Sequence, residues 1–291
     1  AMVQKHKNNQ AISQASFQAL ARMAKSGDAA VDKITQSGGL MICKDFLENG
    51  VETATPEQQI EAMKLMGKLV SQQASATYID QSGGIEAMFD LIDQELVKEV
   101  PNDKIVEAGL AMLATAAKTS EVAASIAKKG DMRRLIQGVE KNQAICKNPE
   151  TMKAFAHFLE AEIAFAPESV EVMRTYDVAD LMMETMSLHG QDAELSKAGG
   201  VILQSVVSAT QARDIVVNNL EPIETMLNSL SATDNPVALA ALETQIQSMS
   251  SMMMVEGALA SEDVTSIMSM IGRKLMLRSF CNKSYPCLHV L

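Results

Sequence analysis

The sequence predicts an all-α, right-handed solenoid of about six three-helix repeats over residues 8–272. Three observations carry that expectation. A short apolar signature returns six times, as Leu40-x-x-Cys43, Ile85-x-x-Met88, Met132-x-x-Leu135, Val178-x-x-Leu181, Leu220-x-x-Ile223 and Val264-x-x-Ile267. The gaps between first members are 45, 47, 46, 42 and 44 residues, the span of one two- or three-helix solenoid unit. The third observation is composition. Aromatics are 3 % with no Trp, while Met reaches 21 residues. Unbranched apolar side chains lose little rotamer freedom in helices, whereas strands favour the β-branched and aromatic types that are scarce here.

The first helix is expected near Asn8 to Lys25, with Phe17 and Leu20 on its inner side. The next repeat is the clearest. Thr55-Pro56-Glu57 opens a long helix: Thr55 can cap it, Pro56 stands where a missing N–H costs nothing, and Glu57 favours the positive end. Ile60, Met63, Met66 and Val70 follow at helical spacing. A short helix from about Ser75 to Gln81 stops at Ser82-Gly83-Gly84, whose glycines permit a positive φ and a sharp turn. A third helix starts at Ile85 and carries Met88, Phe89 and Ile92 on one face.

The same plan recurs. Openers stand at Pro101-Asn102-Asp103, Asn148-Pro149-Glu150, Gln191-Asp192 and Asn235-Pro236. The turn returns as Ser37-Gly38-Gly39 and Lys129-Gly130-Asp131. At Tyr176-Asp177, Asn218-Asn219 and Glu262-Asp263, Asp and Asn replace glycine as the next-best left-handed residues. Residues 1–7 read as an N-terminal extension, with Ala1-Met2 resembling a cloning remnant. Residues 273–291 lose the helical period and read as a non-repeat tail.

Net charge is −11 and unevenly spread. Residues 1–140 carry 15 Lys/Arg against 18 Asp/Glu, residues 141–272 carry 6 against 18, and residues 273–291 carry 4 against none. An acidic body argues against nonspecific nucleic-acid binding, which needs Lys and Arg to displace counterions. No stretch of about 20 apolar residues suggests a membrane span, and no signal-peptide pattern opens the sequence. Cys43, Cys146, Cys281 and Cys287 form no C-x-x-C pair, and Cys43 holds an apolar repeat position, so a buried free thiol in a reducing, cytoplasmic setting is expected.

No nucleophile elbow, P-loop, H-E-x-x-H or Ca²⁺ loop is present, and a non-catalytic protein without metal or cofactor is expected. The four histidines are far apart. His157, between Phe155 and Phe158, reads as a packing or surface residue, and Cys281, Cys287 and His289 match no structural zinc spacing. Met249, Met252, Met253 and Met254 read as the end of a helix packed into the sixth repeat, with Met182, Met183 and Met186 also at core positions.

A long helix, a short helix, a Gly-Gly turn and an apolar pair on a third helix resemble the armadillo repeat, most closely over Pro56 to Ile92 and its Ser82-Gly83-Gly84-Ile85-Glu86-Ala87-Met88 stretch. The resemblance implies a concave face lined by the long helices, along which an extended partner segment lies. On matching positions that face carries Gln18, Arg22, Lys64, Lys68, Ala111, Thr115, His157, Gln204, Thr244 and Ser248. Arg22, Lys64 and Lys68 make its N-terminal end basic, and Lys64 and Lys68, four apart, share one helix face. Receptors of the importin-α type place a Trp and an Asn there in repeat after repeat. This sequence has no Trp and puts lysines in their place, so an acidic partner segment is expected rather than a basic one. The alternatives are a structural subunit of a ciliary or cytoskeletal assembly and a client-binding, chaperone-like domain. The first and last repeats look uncapped, which favours coverage by a partner or by self-association.

Overall fold

The computed structural model describes residues 9–49, 54–190 and 192–207, together with Ile246, Met253, Thr265, Ile267 and Ser269. Among these residues every regular element is a helix. The chain divides into two units, Ala1–Leu181 and Met182–Leu291.

In the first unit the elements run α1 (Gln10–Ala24), α2 (Asp28–Gln36), α3 (Gly39–Asn49), α4 (Pro56–Leu69), α5 (Gln73–Gln81), α6 (Gly84–Leu96), α7 (Asp103–Ala116), α8 (Ser120–Lys129), α9 (Asp131–Lys141), α10 (Gln143–Cys146), α11 (Pro149–Phe165) and α12 (Ser169–Thr175). The unit boundary falls inside α13 (Val178–Leu188), and α14 (Ala193–Val206) lies in the second unit. Like packs on like. The long helices form the series α1, α4, α7, α11; the apolar-pair helices form α3, α6, α9; and the short helices form α5, α8, α12. Each three-helix layer therefore packs chiefly on its neighbours, the rule for solenoids.

The helix starts follow the expected chemistry. Asn9 caps α1 by accepting from the Ile12 amide. At α4 the Thr55 hydroxyl accepts from the Gln58 amide and the Gln58 side chain accepts from the Thr55 amide. This reciprocal box satisfies two otherwise orphaned donors. Asn102, Asn148 and Asp192 cap α7, α11 and α14 through their side-chain oxygens alone, which accept from the first-turn amides. The α6–α7 connection is further held by buried Glu95, which accepts from the Asn102 amide at 3.0 Å.

The sharp turns are left-handed where expected: φ is 79° at Gly38, 84° at Gly83 and 82° at Gly130. Asp177, at φ 49°, is the non-glycine member of the set. The following glycine has a separate reason. A Cβ on Gly84 would stand 3.0 Å from Ile79 Cγ2, and one on Gly39 would stand 2.5 Å from Ile34 Cγ2.

Signature residues Leu40, Cys43, Ile85, Met88, Met132, Leu135, Val178 and Leu181 are all buried. So are Phe17, Met63, Met66, Val70, Phe89 and Ile92, whereas Leu20 and Ile60 are only half-buried at the margins of their faces. Phe17 meets Phe46 edge-on at 4.8 Å, closing the first layer. The short helix α10 was not expected. It is started by Asn142, whose Oδ1 accepts from the Ile145 amide while its Nδ2 donates to the Leu96 carbonyl one layer back.

The repeat period reappears in polar contacts between layers. Thr77 donates to Glu121, Ser125 and Lys129 to Asp80, and Arg134 to Asp90, each pair 44 to 49 residues apart. Asn148 donates to Asp103, linking the caps of α11 and α7. In the second unit Met186 packs on Gly199, and Leu195, Ile202, Leu203 and Val206 form the inner side of α14. The signatures near 220 and 264, apart from half-buried Ile267, lie outside the described residues, as do the openers at Asn235-Pro236 and the tail. Of the Met249–Met254 cluster, only Met253 is described, and it is buried.

Candidate protein-binding face

The long helices α1, α4, α7 and α11 stack side by side, each burying the apolar side that meets the layer core. What remains outward on successive helices is Gln18 and Arg22, then Lys64 and Lys68, then Ala111 and Thr115, then His157. Gln18, Thr115 and His157 are half-buried and the others exposed. The four-residue spacing places each pair on one face of its helix. Gln204 is exposed on α14 in the second unit, while Thr244 and Ser248 lie outside the described residues.

The face has a polarity that follows from its helices. Their first turns hold Glu57, Asp103 and Glu150, and the last turns of α1 and α4 hold Arg22 and Lys68. Acid at the positive end and base at the negative end of each helix dipole is the favourable arrangement. Lys64 pairs on its own helix with Glu61 at 3.3 Å, an exposed contact that leaves the ammonium open to solvent. Lys68 has no carboxylate partner among the described residues. His157 Nδ1 stands 3.0 Å from Glu160 Oε2, which fits a surface histidine.

Sequence reasoning passed over a cleft at the rim of this face, between the ends of α4 and α7. Its lining is Ser71, Gln73, Thr115, Lys118, Thr119 and Ser120, and its volume is about 280 Å³. A signal was present in the sequence, because Lys118-Thr119-Ser120 follows α7 at the same place as Ser71-Gln72-Gln73 follows α4. The opposite rim carries two exposed valines flanking the charged Lys98 and Glu99. Val97 and Val100, in the α6–α7 connection, are 84 % and 83 % exposed, and Val100 borders a second cleft with Pro101, Ile145 and Pro149.

Buried polar groups mark one more place. Glu162 of α11 is fully buried, with Oε2 accepting from Ser169 at 2.8 Å and Oε1 meeting no donor. Burial, with the charge of Glu168 adding to it, pushes its carboxyl up to about 8, against the hydrogen bond from Ser169.

Stacked three-helix layers with an outward polar stripe along the long helices define an α-solenoid repeat protein, and its repeats are armadillo-like. A designed armadillo repeat protein superposes with a TM-score of 0.56 at 14 % identity, over 86 % of this chain and 100 % of that one. Two engineered proteins from a structural genomics consortium are similar as well. One has a TM-score of 0.59 at 17 % identity over 87 % of this chain and 94 % of its own. The other has 0.57 at 17 % identity over 83 % and 54 %. No protein-family model matches the sequence, and no curated protein does. Among the described residues no helix is long and apolar enough to cross a membrane.

Proposed function

We propose that this chain is a non-catalytic scaffold or adaptor that holds an extended, acidic partner segment along the stacked long helices. The reading rests on one observation: cations stand outward on successive packed helices, Arg22 on α1 and Lys64 and Lys68 on α4. Charge complementarity along such a face sets partner choice and association rate more than raw affinity. The armadillo-like repeat supplies the surface, and the neutral stretch of Ala111 and Thr115 lets a segment continue onto α7.

The test is binding of a fluorescently labelled, Asp/Glu-rich peptide followed by anisotropy. Lys64→Glu/Lys68→Glu should weaken it about tenfold or more, with an unchanged melting curve. Equal affinity in the variant would end this reading.

A subunit docked by its edge into a larger assembly has its own observation in favour, the exposed Val97 and Val100 on the far rim. In that case Lys64→Glu/Lys68→Glu spares assembly and Val97→Asp/Val100→Asp abolishes it.

A further inference from the structure

Val97 and Val100 are the two most exposed large apolar side chains among the described residues. A single exposed apolar residue is ordinary, but these two share the α6–α7 connection and stand beside an apolar cleft. The cleft holds about 400 Å³ between two walls. Residues 99–103 form one, and residues 144–149, in α10 and at the start of α11, form the other. Its apolar lining is Val100, Pro101, Ala144, Ile145 and Pro149.

Each wall also carries one spare charge. Glu99 stands on the first and Lys147 on the second, both exposed, and neither pairs with an opposite charge among the described residues. Their neighbours are already matched: Lys98 with Glu95, Lys104 with Glu107 and Lys153 with Glu150. Charge on this rim is therefore close to balanced, in a chain whose net charge is −11. Two copies repel each other as wholes. At this rim they can meet without setting like charges against each other.

An exposed apolar loop beside an apolar cleft, with acid on the loop and base on the facing wall, complements itself under a two-fold rotation. We propose that this rim is an isologous contact between two copies of the chain. The α6–α7 connection of each copy seats its valines at the cleft of the other. Glu99 of each then meets the partner's Lys147, so both spare charges are paired twice over. Apolar groups at the centre and paired charges at the edge are the usual anatomy of a protein contact. Two valines and one cleft are a small area, which places the contact in the weak, reversible class. The inference names the occupant for the edge-docking reading given above and rests on the same valines; it does not depend on the long-helix face.

Sedimentation equilibrium of the full chain at rising concentration tests the contact. The wild type should move from 31.4 kDa towards twice that mass. Val97→Asp/Val100→Asp should keep the mass of one chain while its circular dichroism matches the wild type. Glu99→Lys and Lys147→Glu should each weaken association about fivefold or more, because each sets like charges opposite one another. Mixed together, these two variants should associate with each other as the wild type does with itself, since every facing pair is then a Lys with a Glu. A wild type that keeps the mass of one chain at every concentration would overturn the proposal. So would association that survives both charge changes, or a mixture that restores none. Lys64→Glu/Lys68→Glu should leave self-association in place. If the wild type stays single while Val97→Asp/Val100→Asp still abolishes entry into a larger assembly, the edge-docking reading stands and the second copy as its occupant falls.

Discussion

Phe89 of α6 and Phe158 of α11, two repeats apart, meet edge to face with ring centroids 6.1 Å apart and planes at 71°. Both are fully buried. With so few aromatics, the two rings hold a disproportionate share of the core there. Phe89→Ala should cost about 3–5 kcal/mol, by lost transfer energy and the cavity left behind. Phe89→Asp should cost several kcal/mol more through an unpaired buried charge, on the order of the penalties known for such groups. Urea denaturation of the two variants checks this; an Asp variant as stable as the wild type would mean that residue 89 faces water.

The two glycines of each turn should fail differently. Gly83→Val meets the steric penalty of a left-handed backbone, about 1–2 kcal/mol. Alanine at the second glycine meets a wall, and the wall is closer at Gly39 than at Gly84. There the added Cβ lies 2.8 Å from the Ile34 carbonyl oxygen, against 3.3 Å from that of Ile79. Gly39→Ala should therefore lower the melting temperature more than Gly84→Ala. The reverse order would show that the first layer relaxes more readily than the second.

Glu162 makes stability depend on pH with a definite sign. Its folded pKa, about 8, exceeds the ordinary 4.5, so the folded chain keeps a proton that the unfolded chain has released. Stability falls as pH rises through that window and levels off above it. Glu162→Gln removes the effect. The variant should gain on the wild type between pH 5 and pH 8.5, by on the order of a few kcal/mol. Paired urea titrations at the two pH values read the difference, and a variant that gains nothing on the wild type as pH rises would refute the assignment.

Cys43 is fully buried, and burial pushes its thiol far above the ordinary range. Only the thiolate reacts, so Cys43 should resist iodoacetamide in the native protein and react once urea unfolds the first layer. Peptide mapping by mass spectrometry locates the label. Native labelling at Cys43 would show that this layer opens.

The layers were legible in the sequence because each carries its own punctuation. Thr55, Asn102, Asn148 and Asp192 cap long helices, and the turn was readable even at Asp177. These are local rules, and local rules survive in one sequence. The same period governs exposure on the long helices, where Lys64, Lys68 and Ala111 are exposed and Thr115 is half-buried. Three features were hidden, one set by local side-chain rotamers and two by the packing of helices on one another. The Lys64–Glu61 pairing depends on rotamers. The cleft at Thr119 needs α4 and α7 side by side. The burial of Glu162 needs the α11–α12 corner, since a glutamate at that point of a helix pattern looks like a surface residue. The α10 turn escaped because four residues are too few to show a period.

The Asp80, Asp90 and Asp103 ladders join residues no more than 49 positions apart. A chain wired at this range in its first unit need not wait for its far end. As it leaves the ribosome, each newly emerged layer finds its docking surface already folded one step ahead. Early chains thus expose only one growing apolar end at a time, which limits the window for aggregation during synthesis.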